Sequence, residues 1–177
     1  MPHVVITGGP GAGKTTLLAE LAAMGYSTVS ESARAIISER LAQGKSPRPE
    51  RLVFAQEILR RDAEKYGHHP QSGQWVFFDR GAIESVAMVR EASPMANTEL
   101  QALLDPYRFH NQVFVLPPWE DIYVTDAERD HSFAHAVRVH ASLVSWYRTC
   151  GYEIHEVPRL PTPERARHVV RVLERGA

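Results

Sequence analysis

The stretch that decides the fold is VVITGGPGAGKTT, residues 4–16. Its apolar start, extended by His3, predicts a short buried strand over residues 3–7. Apolar residues with helical spacing follow at 17, 18, 21 and 24, and Gly25 is a natural helix stop. A glycine-rich turn therefore connects a buried strand to a helix.

The turn fits the phosphate-binding pattern Gly8-x-x-x-x-Gly13-Lys14-Thr15. Glycines allow successive backbone N–H groups to face a polyphosphate, and the N-terminus of the following helix attracts the same anion. Lys14 can reach the β- and γ-phosphates of ATP, and the Thr15 hydroxyl is suited to ligate Mg²⁺. The residues predicted to bind the nucleotide are Gly9, Pro10, Gly11, Ala12, Gly13, Lys14, Thr15 and Thr16.

Strand and helix patterns alternate along the rest of the chain. Further strands are predicted near residues 27–30, 75–78, 113–116 and 152–157. Helices are predicted near residues 33–41, 49–66, 83–90, 100–104, 132–149 and 164–174. Strands separated by helices pair in parallel, so we expect an α/β fold: a three-layer P-loop sandwich around a five-stranded parallel sheet. Without repeats or linkers, residues 1–177 form one predicted domain.

Composition excludes several classes of protein. Of 177 residues, 44% are hydrophobic and 23% charged, with a net charge of -1, as in globular domains. Without a polybasic tract, we expect neither nucleic acid nor an anionic membrane surface as a partner. No apolar run reaches the ~18–20 residues that span a bilayer. A single cysteine, Cys150, favours a reducing compartment, and we expect the cytoplasm.

A second motif, Phe77-Phe78-Asp79-Arg80, ends the third predicted strand. Ligands of open parallel sheets lie beyond the carboxyl ends of the strands, where Asp79 can hold Mg²⁺ directly or through water. The alternative is that Asp79 only caps the strand. Arg80 is a candidate for binding an acceptor phosphate or carboxylate, or else pairs with a nearby acid.

The absence of the sequences N-K-x-D and L-S-G-G-Q argues against guanine recognition and against an ABC-type ATPase. The strand-end Asp-Arg pair resembles that of nucleoside and nucleotide kinases. This resemblance implies that Glu31 accepts the proton of the substrate hydroxyl. Arg34, one turn further on, is able to face the same cleft. Glu31 could instead only favour a helix start. The resemblance also implies a lid at about residues 118–131, from which Arg129 would neutralise charge on the γ-phosphoryl group, unless Arg129 is a solvated surface residue.

Nearly the whole chain, from Val4 to about Leu173, resembles the small "AAA domain" family of P-loop proteins, which are relatives of nicotinamide riboside kinases. The motifs that carry this resemblance are GGPGAGKTT (8–16), SESAR (30–34), FFDRG (77–81), VFVLPPW (113–119) and TDAER (125–129). It implies binding of ATP with Mg²⁺. By the same analogy, residues 157–159 could flank the adenine.

Two functional hypotheses follow. The first is an ATP- and Mg²⁺-dependent phosphotransferase or ATPase of nucleoside/nucleotide-kinase type, acting on a small-molecule phosphoryl acceptor. Its catalytic residues would be Lys14, Glu31, Asp79 and Arg129, with Arg34 and Arg80 binding the acceptor. The second is a nucleotide-binding or slowly hydrolysing switch that acts through a partner protein. Among His131, His135 and His140, the pair His131 and His135 shares a helix face at i and i+4, but no obvious third ligand joins this pair, so a zinc site is disfavoured.

Overall fold

The computed structural model describes residues 3–69, 73–123 and 132–176. Arg129, His131 and most of the predicted lid lie outside the described residues. Strands alternate with helices in the predicted order. The strands are β1 (His3–Gly8), β2 (Ser27–Val29), β3 (Val76–Asp79), β4 (Gln112–Leu116) and β5 (Glu153–Glu156). The helices are α1 (Lys14–Ala23), α2 (Ser32–Ala42), α3 (Arg51–His68), α4 (Ala82–Ala92), α5 (Asn97–Leu104), α6 (Phe133–Thr149) and α7 (Thr162–Arg175).

Over the described residues, the strands form one five-stranded sheet in the order β2-β3-β1-β4-β5. All four strand pairings are parallel, which confirms the predicted fold class. Strand β1 lies at the centre, between β3 and β4. The chain places β2 and β3 on one side of β1 and β4 and β5 on the other. In such a sheet a ligand is expected in the crevice at the carboxyl end of the strand where the direction of the strand order changes, which here is β1.

Helices cover both faces of the sheet and so complete the predicted three layers. One core joins α1 and α7 to the sheet through residues such as Leu17, Phe77 and Val169. The other core joins α4 and α6 to the opposite face through Ile83 and Tyr147. Burying apolar side chains on both faces is the main favourable term that holds such a sandwich together. None of the helices in the described parts of the chain combines the length and apolarity needed to cross a membrane.

Most differences from the predicted elements concern their ends. Helix α3 begins at Arg51 rather than at Pro49, because the Glu50 side chain accepts hydrogen bonds from the N–H groups of Leu52 and Val53 and so caps the helix. Strand β3 extends to Asp79, which places this carboxylate inside the sheet register instead of beyond it. A short 3-10 helix at Glu120–Ile122, within the predicted lid segment, has no periodic signal in the sequence.

Candidate functional site

The glycine-rich loop follows β1 and ends at the first residue of α1. Gly11 and Gly13 have φ angles of 74° and 83°, a region that side chains with a Cβ rarely adopt. A Cβ on Gly11 would lie 2.5 Å from Cδ2 of Tyr123, and a Cβ on Gly13 would lie 3.0 Å from Nη1 of Arg165. The loop therefore requires glycine at both positions, for its backbone angles and for the groups packed on it.

Lys14 is buried beneath this loop. Its Nζ donates hydrogen bonds to the carbonyl oxygens of Gly8, at 3.0 Å, and Gly9, at 3.2 Å. Burial and the nearby positive charge of Arg80 lower the pKa of Lys14 to about 8. Both hydrogen-bond acceptors are uncharged carbonyls, so they do not neutralise the charge of this buried ammonium group. A phosphate anion would supply the missing negative charge.

A cavity of about 520 Å³ opens over the loop. Cationic side chains outnumber carboxylates in its lining by five to two. Such an excess of positive charge favours a polyanion. The cations are Lys14, Arg34, Arg48, Arg80 and Arg165, and the carboxylates are Glu31 and Asp79. The cavity also brings together the predicted nucleotide-binding residues from Pro10 to Thr16, whereas Gly9 packs against the backbone of Ala136.

Asp79 ends β3 directly beside β1, opposite Ile6 in the register. Its Oδ1 is buried and accepts no hydrogen bond from any described residue. Burial, outweighing the attraction of Lys14, raises the pKa of Asp79. A carboxylate oxygen without a partner, in a cavity that the Thr15 hydroxyl also lines, fits a divalent cation.

No described group of three or more His, Cys, Asp or Glu side chains is arranged to hold a metal ion. Asp79 and Thr15, one carboxylate and one hydroxyl in the same cavity, could hold Mg²⁺, which retains waters and takes further oxygen ligands from substrate phosphates. Helix α6 contributes His135 and His140 without a third such ligand in the described parts of the chain. Burial raises the pKa of Cys150 to about 11, which makes a reactive thiolate unfavourable at neutral pH.

Arg80 adopts a left-handed backbone conformation, with φ 65°, which is unusual for a residue other than glycine. Its N–H donates to the carbonyl of Ile6 at 3.0 Å, which holds the turn in place. The guanidinium group donates to Glu31 at 3.2 Å, to Glu84 at 2.6 Å and to the carbonyl of Gly8 at 3.2 Å. Of the two roles that the sequence left open for Arg80, the structure displays pairing with nearby acids.

Glu84 anchors this network from α4, although no motif in the sequence marks it as a site residue. It is 6% exposed, and its second oxygen accepts a 3.0 Å hydrogen bond from the fully buried Tyr147 hydroxyl. A buried ion pair is stabilised when further hydrogen bonds satisfy its polar atoms, and Tyr147 and the Gly8 carbonyl supply such bonds here. The consequence is a fixed orientation for the Arg80 guanidinium, and through it for the carboxylate of Glu31.

Glu31 occupies the N-cap position of α2, but its side chain makes no capping hydrogen bond. Its Oε1 accepts from Arg80 instead. Burial raises its pKa, but the charges of Arg80, Lys14 and Arg34 outweigh this effect, so the pKa of Glu31 is lowered overall. Glu31 is therefore ionised at neutral pH, and it faces the cavity rather than serving as a helix cap.

Arg165, at the start of α7, is a site residue that the sequence analysis missed. It is 5% exposed, donates to the Ala12 carbonyl at 3.4 Å and to Thr162 at 3.1 Å, and its guanidinium carbon lies 5.7 Å from the centre of the Trp119 ring. The helical pattern of α7 gave no signal, because an arginine in the first helical turn, next to Glu164, is normally a solvated residue. The suggested adenine neighbours, residues 157–159, do not line the cavity.

The described part of the predicted lid segment, residues 118–123, lies near the loop. Ile122 lines the cavity, and the Tyr123 ring covers Gly11. The same ring meets that of Phe133 at a centroid distance of 5.4 Å, so residues 123 and 133, on either side of the undescribed stretch, are in contact. Arg34, on α2, is exposed and lines the same cavity, as the sequence analysis predicts.

A second cavity of about 520 Å³ lies between α3, α4 and α6. It shares four lining residues with the first, and three of them carry charge: Glu31, Asp79 and Arg80. The fourth is Ala33. Glu31, Asp79 and Arg80 thus lie where the basic cavity over the glycine-rich loop adjoins the second cavity.

A parallel sheet in the order β2-β3-β1-β4-β5, with a glycine-rich loop and a buried lysine after β1, defines a P-loop protein with the nucleoside and nucleotide kinase fold. Residues 3–165 match the family described as AAA domain. The chain belongs to this family. None of the curated proteins compared with the sequence matches it.

Solved structures bear out the fold. A deoxyadenosine kinase from M. mycoides with bound dATP is 14% identical, with a TM-score of 0.64 over 98% of this chain and 100% of that one. Thymidylate kinase from Candida albicans is 12% identical, with a TM-score of 0.63 over 99% of this chain and 92% of that one. The NadR protein in complex with NR is 17% identical, with a TM-score of 0.68, and this chain spans 98% of its own length but 51% of NadR.

Proposed function

We propose that this protein transfers the γ-phosphoryl group of ATP to a small-molecule acceptor, with Mg²⁺. One observation carries the proposal. Glu31, Asp79 and Arg80 line both the basic cavity over the P-loop and the second cavity beside it. A phosphotransferase must hold a nucleotide and an acceptor on either side of one reacting centre, and positioning accounts for much of its catalysis.

The nucleotide side rests on residues with positive charge and on the backbone of the glycine-rich loop. Lys14 is suited to bind the β- and γ-phosphate oxygens, in place of its present contacts with the Gly8 and Gly9 carbonyls. Thr15 and Asp79 would hold Mg²⁺, which supplies charge neutralisation between the phosphates when bound. Arg165 and Ile122 also line this cavity, and the rest of the nucleotide would lie beside them.

The acceptor side rests on Glu31. Its carboxylate is ionised and is oriented by Arg80, so it is suited to orient the acceptor hydroxyl and to take its proton. Arg34 lies one turn further along α2 and is the described cation of this helix closest in sequence to Glu31. Arg129 remains a proposed lid residue, which would neutralise charge that develops on the transferred group.

The experiment that tests the proposal is an acceptor screen. ADP formation from Mg-ATP is measured with and without nucleosides, nucleotides and small hydroxyl-bearing cofactors. We expect at least one acceptor to accelerate ADP formation well above the rate in water. A rate that no acceptor changes, with ATP still bound, would favour the alternative of a nucleotide switch that acts through a partner protein.

A prediction for the metal follows from the orphaned oxygen of Asp79. Asp79→Asn should lower Mg²⁺-dependent turnover by about 10²-fold or more, since this amide is a weak Mg²⁺ ligand. ATP affinity without metal should not fall, because the substitution removes a negative charge beside the phosphates. The measurement is turnover as a function of Mg²⁺ concentration, together with ATP titration in EDTA. Asp105→Asn, at the exposed end of α5, is the matched control. Equal losses in both assays would make Asp79 a structural residue.

A further inference from the structure

Glu31 stands at the start of α2, yet its side chain does not fix that start. It is the N-cap residue of the helix, and it makes no capping hydrogen bond among the described residues. Helix starts depend on such bonds, because the first N–H groups lack partners within the helix. The backbone that carries Glu31 must therefore be positioned by contacts from another element.

Helix α3 supplies two such contacts, one on each side of Glu31. The Lys65 ammonium group donates a 2.6 Å hydrogen bond to the carbonyl oxygen of Ser30. The Asp62 carboxylate accepts a 2.5 Å hydrogen bond from the Ser32 hydroxyl. Asp62 and Lys65 lie three positions apart on α3, a spacing that places two side chains on one helix face. These two residues, which we call the α3 clamp, thus bond to the residues directly before and after Glu31.

The Asp62 carboxylate is bonded at both oxygens. Its second oxygen accepts from the hydroxyl of Ser85, in the first turn of α4. Ser32 and Ser85 are both buried. Burial raises the pKa of Asp62, and the two serine hydrogen bonds and the charge of Lys65 oppose this rise. A carboxylate bonded to two buried hydroxyls has a fixed orientation, so it holds the start of α2 at a defined distance from α3 and α4.

The α3 clamp and the Arg80 network meet at neighbouring residues of α4. Ser85, which bonds to Asp62, directly follows Glu84, which bonds to the Arg80 guanidinium. Arg80 in turn donates to the Glu31 carboxylate at 3.2 Å, the long end of the normal range for such bonds. A small outward shift of the Glu31 backbone would therefore break this bond. Retaining it requires that α3 hold the backbone in place.

We infer that Asp62 and Lys65 are positioning residues, which hold the backbone of Glu31 so that its carboxylate meets both Arg80 and the acceptor hydroxyl. The inference rests on the proposed phosphotransferase function. Lys65 lines neither the cavity over the P-loop nor the second cavity, so it is not placed to bind the nucleotide or the acceptor. Its effect on transfer passes through Glu31. Misplacing a reacting group by about 1 Å can cost about 10²-fold in rate, so the α3 clamp should be visible in kcat.

Lys65→Met tests the α3 clamp in transfer assays with an acceptor from the screen. The value of kcat should fall about 10-fold or more, while the KM values for ATP and acceptor stay within about two-fold, because Lys65 lines neither cavity. Lys65→Arg retains a donor for the Ser30 carbonyl and should recover most of kcat. Lys45→Met, on an exposed lysine that bonds to Gln43, is the matched control. An unchanged kcat in folded Lys65→Met protein would overturn the inference and leave the proposed function intact.

A second measurement needs no acceptor, because it follows the titration of Glu31 itself. Burial raises the pKa of Glu31, but neighbouring positive charges, Arg80 first among them, outweigh this effect. The charged groups that act on Glu31 or are acted on by it are Arg80, Lys14, Arg34, Asp79 and Lys65. Ser32→Ala removes one hydrogen bond of the α3 clamp and alters none of these charges. If the start of α2 then moves away from Arg80, the pKa of Glu31 should rise towards its ordinary value.

Carbon-13 NMR of the Glu31 carboxyl, recorded against pH in wild-type and Ser32→Ala protein without ATP, measures this rise. A higher titration midpoint in the variant is the expected result. Identical midpoints in two folded proteins would mean that the bond to Asp62 only stabilises the fold, and would overturn the inference. Should no acceptor be phosphorylated, the proposed function falls, and this titration still decides whether the α3 clamp sets the position of Glu31.

Discussion

Replacing Lys14 with methionine should abolish most Mg-ATP binding and leave the nucleotide-free protein at least as stable as the wild type. Lys14 is 8% exposed, and its described hydrogen bonds go to two carbonyl groups. Hydrogen bonds to charged groups contribute about 1.5–3 kcal/mol, so loss of the ammonium should weaken ATP binding by about 10²-fold. Turnover should fall at least as far, because Lys14 also faces the charge that develops during transfer.

The stability part of this prediction has a defined pH dependence. The pKa of Lys14 falls from the ordinary 10.5 to about 8 in the folded protein. Between these two values the unfolded chain binds more protons than the folded one, so wild-type stability rises with pH across this window. Below it, the buried charge costs about 3 kcal/mol at most. Methionine removes this cost, so the advantage of Lys14→Met should be largest below pH 8 and vanish near pH 10.5.

Calorimetric titration with Mg-ATP and urea unfolding at several pH values measure the two parts separately. Lys45→Met is the matched control, because Lys45 is exposed and bonds only to Gln43 among the described side chains. It should change neither ATP affinity nor the pH profile of stability. Undiminished Mg-ATP affinity in folded Lys14→Met protein would refute the assignment of the loop as the nucleotide site.

Glu31→Gln should retain Mg-ATP affinity within a few-fold and lose about 10²–10⁴-fold in transfer to the acceptor. The amide keeps the size of the side chain and can still accept from Arg80, but it cannot take a proton. Because the pKa of Glu31 is lowered, wild-type activity should not depend on this group until the pH falls below the ordinary range for glutamate. In the wild type the rate should fall at acid pH as Glu31 becomes protonated, and this fall should be absent in the variant.

Transfer and ATP affinity are measured on the same preparation, once an acceptor is known. Glu39→Gln is the matched control, because Glu39 lies on the same helix, is exposed and pairs with Arg61 outside both cavities. Transfer that survives Glu31→Gln would reduce Glu31 to a partner of Arg80. A loss of ATP affinity equal to the loss of transfer would mean that the substitution disturbs the P-loop through Arg80 and Gly8.

The fold was predictable because its signals are local. A glycine-rich turn between a buried strand and a helix, followed by alternating strands and helices, permits few arrangements other than a parallel sheet with helices on both faces. Element ends were harder, because caps decide them. Glu50, for example, begins α3 with two side-chain hydrogen bonds that apolar periodicity does not reveal.

The site was predictable only where a motif or a strand end marked it. Lys14, Thr15 and Asp79 stand at such places, and all three line the cavity over the loop. Arg165 and Asp62 instead come from helices distant in sequence, and only tertiary packing brings them to the cavities. The pairing of Arg80 with Glu84 likewise depends on how α4 packs against α6 through Tyr147. Single-sequence patterns carry no information on such contacts.

The most direct test of the proposed phosphotransferase is the product balance of the reaction. After incubation with Mg-ATP and the best acceptor from the screen, phosphorus NMR quantifies ADP, phosphorylated acceptor and inorganic phosphate in one sample. Transfer through Glu31 predicts that phosphorylated acceptor appears in equal amount to ADP, with little inorganic phosphate. ADP matched by inorganic phosphate, whatever acceptor is present, would contradict phosphoryl transfer and identify a protein that only hydrolyses its nucleotide.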